Sequence, residues 1–147
     1  MTTESYSLLF DVFVLGQRIR QLLGEAMRDA PLRPEEYAVY SVVFEEEAVS
    51  PTAMAATLGM PLTTLADHVR EMERRHHVRR IPNPRDGRSY LLVLTASGRH
   101  VHHETHASFS RAYAAVVEGL PRGGERRARQ ELAALLAATE RAASVLR

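Results

Sequence analysis

The sequence of 147 residues contains no cysteine, which excludes disulfide bonds, thiolate nucleophiles and zinc sites with cysteine ligands. No run of 18 apolar residues is present, which predicts that no segment spans a membrane. Residues 1–4 lack the basic segment of a signal peptide, so we expect a cytoplasmic protein.

The sequence also lacks the short motifs of common enzyme classes. It has no glycine-rich phosphate loop, no His-Glu-x-x-His and no Gly-x-Ser-x-Gly. Serine, histidine and aspartate are present, but their spacing does not set up a catalytic triad. We therefore predict a protein with no catalytic residues and no cofactor.

Lysine is absent as well, so all 19 basic residues are arginines. Two explanations remain open: the codon bias of a GC-rich genome, and a use for bidentate contacts with phosphate or guanine. The position of the charges is more informative. Residues 1–67 carry 4 arginines against 10 acidic residues, residues 68–99 carry 8 against 3, and residues 100–147 carry 7 against 5. A basic middle segment in a chain of net charge +1 indicates a localised surface for a polyanion.

The first predicted helix is apolar on more than one side. Leu8, Val12, Leu15, Ile19 and Leu22 follow a heptad spacing, and further apolar residues lie between them. Such a helix has to be covered on several faces. We expect a second subunit to cover it, and a central helix of the core is the alternative.

The middle of the chain shows two short helices joined by a tight turn. Ser50 and Pro51 form an N-cap and a first helical residue, the helix runs to Leu58, and Gly59 begins a turn of three residues. A second helix follows at about residues 62–76. Its inner face is formed by Leu65, Val69 and Met72. This is the helix-turn-helix pattern.

The period then changes from helical to strand-like. Residues 78–81 and 90–94 are β-like, and the turn-rich loop between them has a basic tip, which together predict a β-hairpin. Thr95 is a predicted N-cap for a long helix, and residues 121–124 separate that helix from a last amphipathic one.

The hairpin sequence, Asn-Pro-Arg-Asp-Gly-Arg at 83–88, and the element order resemble the MarR transcription regulators over roughly residues 5–146. The wing of that family has Asp-x-Arg at its tip, then an apolar strand, Leu-Thr and a glycine. The matching residues are Asp86, Arg88, Leu94, Thr95 and Gly98. Four residues depart from the family pattern: Pro61, Asp67, His68 and His76. These departures concern the operator sequence and not the fold.

The resemblance implies a mainly α fold with a small β-hairpin, a winged helix-turn-helix with N- and C-terminal dimerisation helices. It implies one domain over residues 1–147, with dimerisation helices at 5–30 and 100–147 and a DNA-binding region at 34–99. It further implies a homodimer on pseudo-palindromic double-stranded DNA, and often a small aromatic effector.

The candidate DNA contacts come from three places: the N-terminus of the first short helix, the outer face of the second short helix, and the hairpin tip. They are Ser50, Thr52, Thr63, Thr64, Asp67, His68, Arg70, Arg74, Arg75, Arg85 and Arg88. Asp86 is expected to hold an arginine of the wing or of the recognition helix in place.

Aromatic residues suggest a cleft for an effector, although core packing is the alternative for each of them. The candidates are Phe13, Gln17, Tyr37, Tyr40 and Phe44, with His106 or Phe109 from the long helix.

The long helix also carries His100, His102, His103 and His106 in pairs three and four residues apart. We interpret these as ordinary exposed histidines and predict no metal site; metal binding and a proton-linked role remain alternatives.

The sequence therefore predicts a dimeric, sequence-specific regulator of transcription, a repressor released by a small molecule. One alternative is a ligand- or metal-binding protein of the same fold with weak affinity for DNA. Another is a helical module that binds a protein partner. Arginines on both a helix face and a hairpin tip favour DNA, because neither alternative requires them.

Overall fold

The computed structural model describes residues 6–147. The segment 1–4 and the first residue of the predicted dimerisation segment 5–30 lie outside the described residues. The described chain forms six helices and a two-stranded antiparallel hairpin, so the predicted fold class is confirmed. It divides into two compact units, residues 6–109 and 110–147. In the described chain, no helix is both long enough and apolar enough to cross a membrane.

The elements follow the predicted order. The helices are α1 (Leu8–Ala26), α2 (Pro34–Glu46), α3 (Pro51–Leu58), α4 (Leu62–Arg74), α5 (Ala96–Glu118) and α6 (Gly124–Leu146). The strands are β1 (Val78–Pro82) and β2 (Tyr90–Leu94), paired in the register Val78 with Leu94 and Pro82 with Tyr90. Val49 adds an isolated bridge to Leu92, which attaches the entry of α3 to the hairpin.

The core of the first unit lies among α2, α3, α4 and the hairpin. Fully buried side chains come from each of these elements, which joins them into one apolar cluster. The most buried are Leu32, Val39, Tyr40, Val43, Met54, Leu65, Met72 and Leu92. The predicted inner face of α4 is confirmed, since Leu65, Val69 and Met72 are all buried.

Helix α4 ends two residues earlier than its apolar pattern predicts. His76 has φ = 58°, a left-handed conformation that glycine adopts more easily. The amide of His77 donates to the Met72 carbonyl and the amide of His76 donates to the Glu73 carbonyl, both in Schellman geometry. The helix therefore stops at a well-defined place before β1.

Helix α1 has no buried residue in the described chain. Its apolar side chains are open to solvent, with Leu8, Leu9 and Phe13 more than 60% exposed. In the second unit, α6 exposes Leu132, Leu136 and Leu146 in the same way. Both helices thus carry exposed apolar surface in the described chain, and for α1 this agrees with its heptad spacing.

Candidate nucleic-acid interface

The α3–α4 pair presents the outer face of α4 to solvent. Gly59 ends α3 with φ = 64°, which allows the tight turn into α4. The buried stripe of α4 packs on the core, and the opposite face is exposed. That face carries Thr63, Thr64, Asp67, Arg70 and Arg74, as predicted.

The N-terminus of α3, the face of α4 and the hairpin line one groove of about 580 Å³. Five predicted residues line it: Ser50, Thr52, Arg70, Asp86 and Arg88. Ser50 caps α3, because its hydroxyl accepts a hydrogen bond from the Ala53 amide at 3.2 Å. Pro51 has no amide hydrogen and the Met54 amide donates to the Ser50 carbonyl at 3.0 Å, so the Thr52 amide is the one left in the first turn of α3 to donate to an anion.

Short polar side chains order the tip of the wing. The Asn83 side-chain oxygen accepts from the Arg85 amide at 3.0 Å, and its nitrogen donates to the Ser89 hydroxyl at 2.8 Å. Asp86 accepts from the main-chain amide of Arg88 at 3.0 Å. The expectation that Asp86 holds an arginine side chain is therefore corrected: it holds the backbone of the turn, as aspartate commonly does in a loop.

The side chains of Arg85 and Arg88 are exposed at this tip. Neither guanidinium forms an ion pair with another of the residues 6–147. Two charges on an ordered turn are thus available for an external anion.

Arg80 and Tyr90 also line the groove, and neither is among the residues predicted from the sequence. The Arg80 guanidinium lies 4.1 Å from the centre of the Tyr90 ring and donates to Glu73 at 2.8 Å. The two residues are diagonal neighbours across β1 and β2, so the strand register, once known, reveals the pair.

Two arginines on the face of α4 are paired within the helix. Arg70 donates to Asp67, and Arg74 donates to Glu71 at 2.6 Å. The bond from Arg74 is the main reason why the pKa of Glu71 falls to about 2. Exposed pairs of this kind contribute little to stability because water screens them, so a phosphate or a base edge can replace the carboxylate at small cost.

Two predicted contacts are turned away from this face. His68 is mostly buried at the side of α4, with its Nε2 3.6 Å from a Glu35 carboxylate oxygen. Arg75 donates to Glu71 at 2.9 Å and to the buried Glu36 at 2.8 Å. Both side chains contact residues of α2, because the 3.6-residue period rotates them towards that helix, and we correct their assignment to DNA on this ground.

A second, smaller cavity of about 180 Å³ lies between α2 and the first half of α5. It is lined by Tyr37, Ser41, Phe44, Glu45, His102, His103 and His106. Three predicted effector residues, Tyr37, Phe44 and His106, come together here. Tyr40 does not line it, which corrects that prediction, because Tyr40 is 1% exposed within the core.

The other effector candidates lie elsewhere in the described chain. Phe13 is exposed on α1, and Gln17 accepts a hydrogen bond from Arg20 on the same helix. The centres of the Phe109 and Tyr37 rings are 5.0 Å apart, but Phe109 does not line the cavity. Ser41 and Glu45 were not predicted from the sequence, although the helical period places them beside Tyr37 and Phe44.

Imidazoles dominate the chemistry of this cavity. The His102 ring stacks between Tyr37 and Phe44, with ring centres 4.9 and 4.6 Å apart. Nε2 of His102 is 3.0 Å from the Ser41 hydroxyl. Burial lowers the pKa of His102 below its usual value, and His106 and His103 lower it further. Nδ1 of His106 lies 2.7 Å from the Tyr37 hydroxyl. The cavity is therefore lined by aromatic faces and by imidazole nitrogens that already have the Ser41 and Tyr37 hydroxyls as partners.

The structure also addresses the metal alternative for the four histidines. Among the described residues, no three His, Asp or Glu side chains are arranged to hold a metal ion. His100 instead lies 2.7 Å from Glu104 on the surface of α5. His102 is turned inwards, so the interpretation of all four histidines as exposed is wrong for this one.

Neither a family model nor a curated protein sequence matches the chain. Solved structures do match. A MarR-family transcriptional regulator from Rhodococcus sp. RHA1 is 25% identical, with a TM-score of 0.75 over 89% of this chain and 97% of that one. MepR of S. aureus, in complex with DNA, is 15% identical, with a TM-score of 0.77 over 91% and 99% of the two chains. CouR from Rhodococcus jostii RHA1, bound to p-coumaroyl-CoA, is 24% identical, with a TM-score of 0.77 over 92% and 95%. The resemblance seen in the wing is confirmed, and the chain has the winged helix-turn-helix fold of the MarR-family transcriptional regulators.

Proposed function

We propose that the protein is a dimeric, sequence-specific DNA-binding regulator of transcription in the cytoplasm, a repressor that a small molecule releases from DNA. The observation that carries this proposal is the groove that the N-terminus of α3, the face of α4 and the wing line together. Two regulators of the same fold, MepR and a variant of MarR from E. coli, have been solved in complex with DNA.

The groove and the helix face suggest how each element contacts the duplex. Helix α4 enters the major groove, where Arg70 and Arg74 exchange their carboxylate partners for guanine or phosphate. The first turn of α3, capped by Ser50, binds a backbone phosphate. The wing lies beside the minor groove, into which Arg88 inserts, while Arg85 contacts phosphate.

A titration tests the binding. We expect the protein to enrich particular duplexes from a pool of random 30-bp DNA. It should also bind the selected duplex at least about a thousandfold more tightly than a scrambled one of the same composition. Because several arginines neutralise phosphates, the affinity should fall steeply as salt rises from about 50 to 200 mM. Equal, weak binding to both duplexes would favour the alternative of a ligand-binding protein on the same fold.

We further propose that the protein is a homodimer, since α1 and α6 each expose apolar side chains. Light scattering of the parent at micromolar concentration is expected to give twice the chain mass. Replacing the exposed Phe13 by aspartate should shift the mass towards the monomer, because a charge at an apolar interface is costly to bury. A stable, folded monomer of the parent protein would contradict this prediction. A two-fold dimer implies half-sites about one helical turn apart in a pseudo-palindrome.

The cavity between α2 and α5 is the proposed effector site. Its volume of about 180 Å³ and its stacked rings suit a molecule of a single aromatic ring, smaller than a drug-sized ligand. A phenol or a carboxylate on that ring can replace the Ser41 or the Tyr37 hydroxyl as the partner of an imidazole. CouR, of the same fold, has been solved with an aromatic acyl-CoA. In the titration above, simple phenols and benzoates are expected to weaken binding to the selected duplex, and replacing Ser41 by alanine should reduce that response.

A further inference from the structure

The C-terminal end of α4 is attached to α2 by polar contacts that do not involve the DNA groove. Arg75, which follows α4, and His77, which precedes β1, both reach back to α2. Neither residue lines the groove. The contacts therefore act on the placement of α4 and not on its surface.

The first contact is an ion pair with a buried carboxylate. Glu36 is 6% exposed, and its carboxylate accepts from Arg75 at 2.8 Å and from the amide and the Nε of Arg33, both at 3.1 Å. Burial on its own raises the pKa of Glu36, but the bonds from Arg33 and Arg75 outweigh it, so the pKa is lowered. Glu36 is thus charged at neutral pH and has to keep a cationic partner.

The second contact lies one turn further along α2. The Tyr40 hydroxyl is 2.7 Å from Nδ1 of His77, and Tyr40 is 1% exposed. Burial lowers the pKa of His77 and the adjacent Arg75 lowers it further, so the ring is neutral at pH 7. Glu36 and Tyr40 thereby attach the end of α4 and the start of the wing to one face of α2.

We propose that Arg75 is a positioning residue for operator recognition, which it supports by fixing α4 against α2 through Glu36 without touching DNA. This rests on the proposed function. Base readout needs side chains held within fractions of an ångström, so a small rotation of α4 costs bidentate base contacts. Phosphate contacts by flexible arginines tolerate the same rotation.

The test compares three single variants on the selected and scrambled duplexes across salt. Arg75→Met keeps the apolar stem and removes the pair with α2. Arg33→Met is the matched control, because it removes the other cation on the same carboxylate and leaves the α2–α4 link intact. Glu36→Gln, alone and combined with Arg75→Met, completes a double-mutant cycle. Urea unfolding of each variant measures its stability separately.

We expect Arg75→Met to weaken binding to the selected duplex about tenfold, equivalent to about 1.4 kcal/mol. The scrambled duplex should be bound within about twofold of the parent, with an unchanged salt slope. Arg33→Met should match the parent within about twofold on both duplexes. In the Glu36→Gln background, Arg75→Met should cost little more, because its partner has lost its charge.

Other outcomes overturn the proposal. An equal loss on both duplexes with a salt slope flatter by about one per subunit assigns Arg75 to phosphate instead. If Arg75→Met is less stable than the parent but discriminates between the selected and the scrambled duplex as well as the parent does, Arg75 contributes to folding alone. Should Arg75→Met not fold, Arg75→Lys decides, because a lysine cannot bridge Glu36 and Glu71 as a guanidinium does and should lose about threefold on the selected duplex only. A parent protein that selects no duplex instead refutes the proposed function before any variant is made.

Discussion

Replacement of Gly98 by alanine is expected to destabilise the protein by about 3 kcal/mol or more, the upper end of overpacking effects. A Cβ atom at this position would lie 2.1 Å from the carbonyl oxygen of His77 and 3.0 Å from its carbonyl carbon. Both are backbone atoms, so no side-chain rotation relieves the contact. One of the two backbones has to move.

The surrounding hydrogen bonds oppose such a movement. The His77 carbonyl accepts from the Thr95 amide at 2.9 Å, and the Thr95 hydroxyl donates to the His76 carbonyl at 2.7 Å. The same hydroxyl accepts from the Gly98 amide at 3.1 Å, as an N-cap of α5 does. The end of α4, the end of β2 and the start of α5 therefore meet at this glycine.

Chemical unfolding at a fixed protein concentration measures the effect, since an oligomer unfolds at a concentration-dependent midpoint. Gly87→Ala is the matched control. Gly87 lies in the wing, outside the helices proposed to form the dimer, and a Cβ atom added there would have no neighbouring atom within 4 Å, so alanine should leave stability unchanged or raise it by up to about 1 kcal/mol. An unfolding midpoint of Gly98→Ala equal to that of the parent would show that the junction is not rigid.

Features set by neighbouring residues could be predicted from the sequence. The caps of α3 and α5 depend on Ser50 and Thr95, whose hydroxyls bond to amides three residues away. The apolar stripe of α4 depends on the helical period alone. The wing signature predicts Gly98 as a family match, but only the structure gives its physical reason, the close approach of the His77 carbonyl.

Features set by distant residues could not be predicted in this way. Arg75 pairs with Glu36, 39 residues earlier, and in sequence it is one more arginine beside the recognition helix. Tyr40 is an aromatic residue of the kind that lines pockets, yet its ring is buried in the core. Its hydroxyl lies 2.7 Å from Nδ1 of His77, 37 residues later. The end of α4 at Arg74 is a local feature that the helical period also does not reveal, because it depends on the left-handed conformation of His76 two residues later.

Replacement of Arg88 by alanine is expected to lower affinity for the selected duplex by about 1–3 kcal/mol per subunit if the guanidinium inserts into the minor groove. A dimer carries two wings, so the loss should be at least about 30-fold, the equivalent of about 2 kcal/mol. The fold should persist, because Asp86 holds the Arg88 amide and not its side chain. Dimerisation should also persist, because the wing is remote in sequence from the apolar helices α1 and α6.

Two further arginines of the same hairpin separate the possible causes. Arg85→Ala should weaken the selected and the scrambled duplex alike, because a phosphate contact carries no sequence information. Arg79→Ala removes the same charge from an exposed position of β1 that does not line the groove, and should stay within about threefold of the parent. Titrations of the three variants on both duplexes across salt give these comparisons. Binding by a folded Arg88→Ala that equals the parent on both duplexes would remove the most distinctive residue of the wing from the proposed interface, and with it the minor-groove contact on which the wing's role depends.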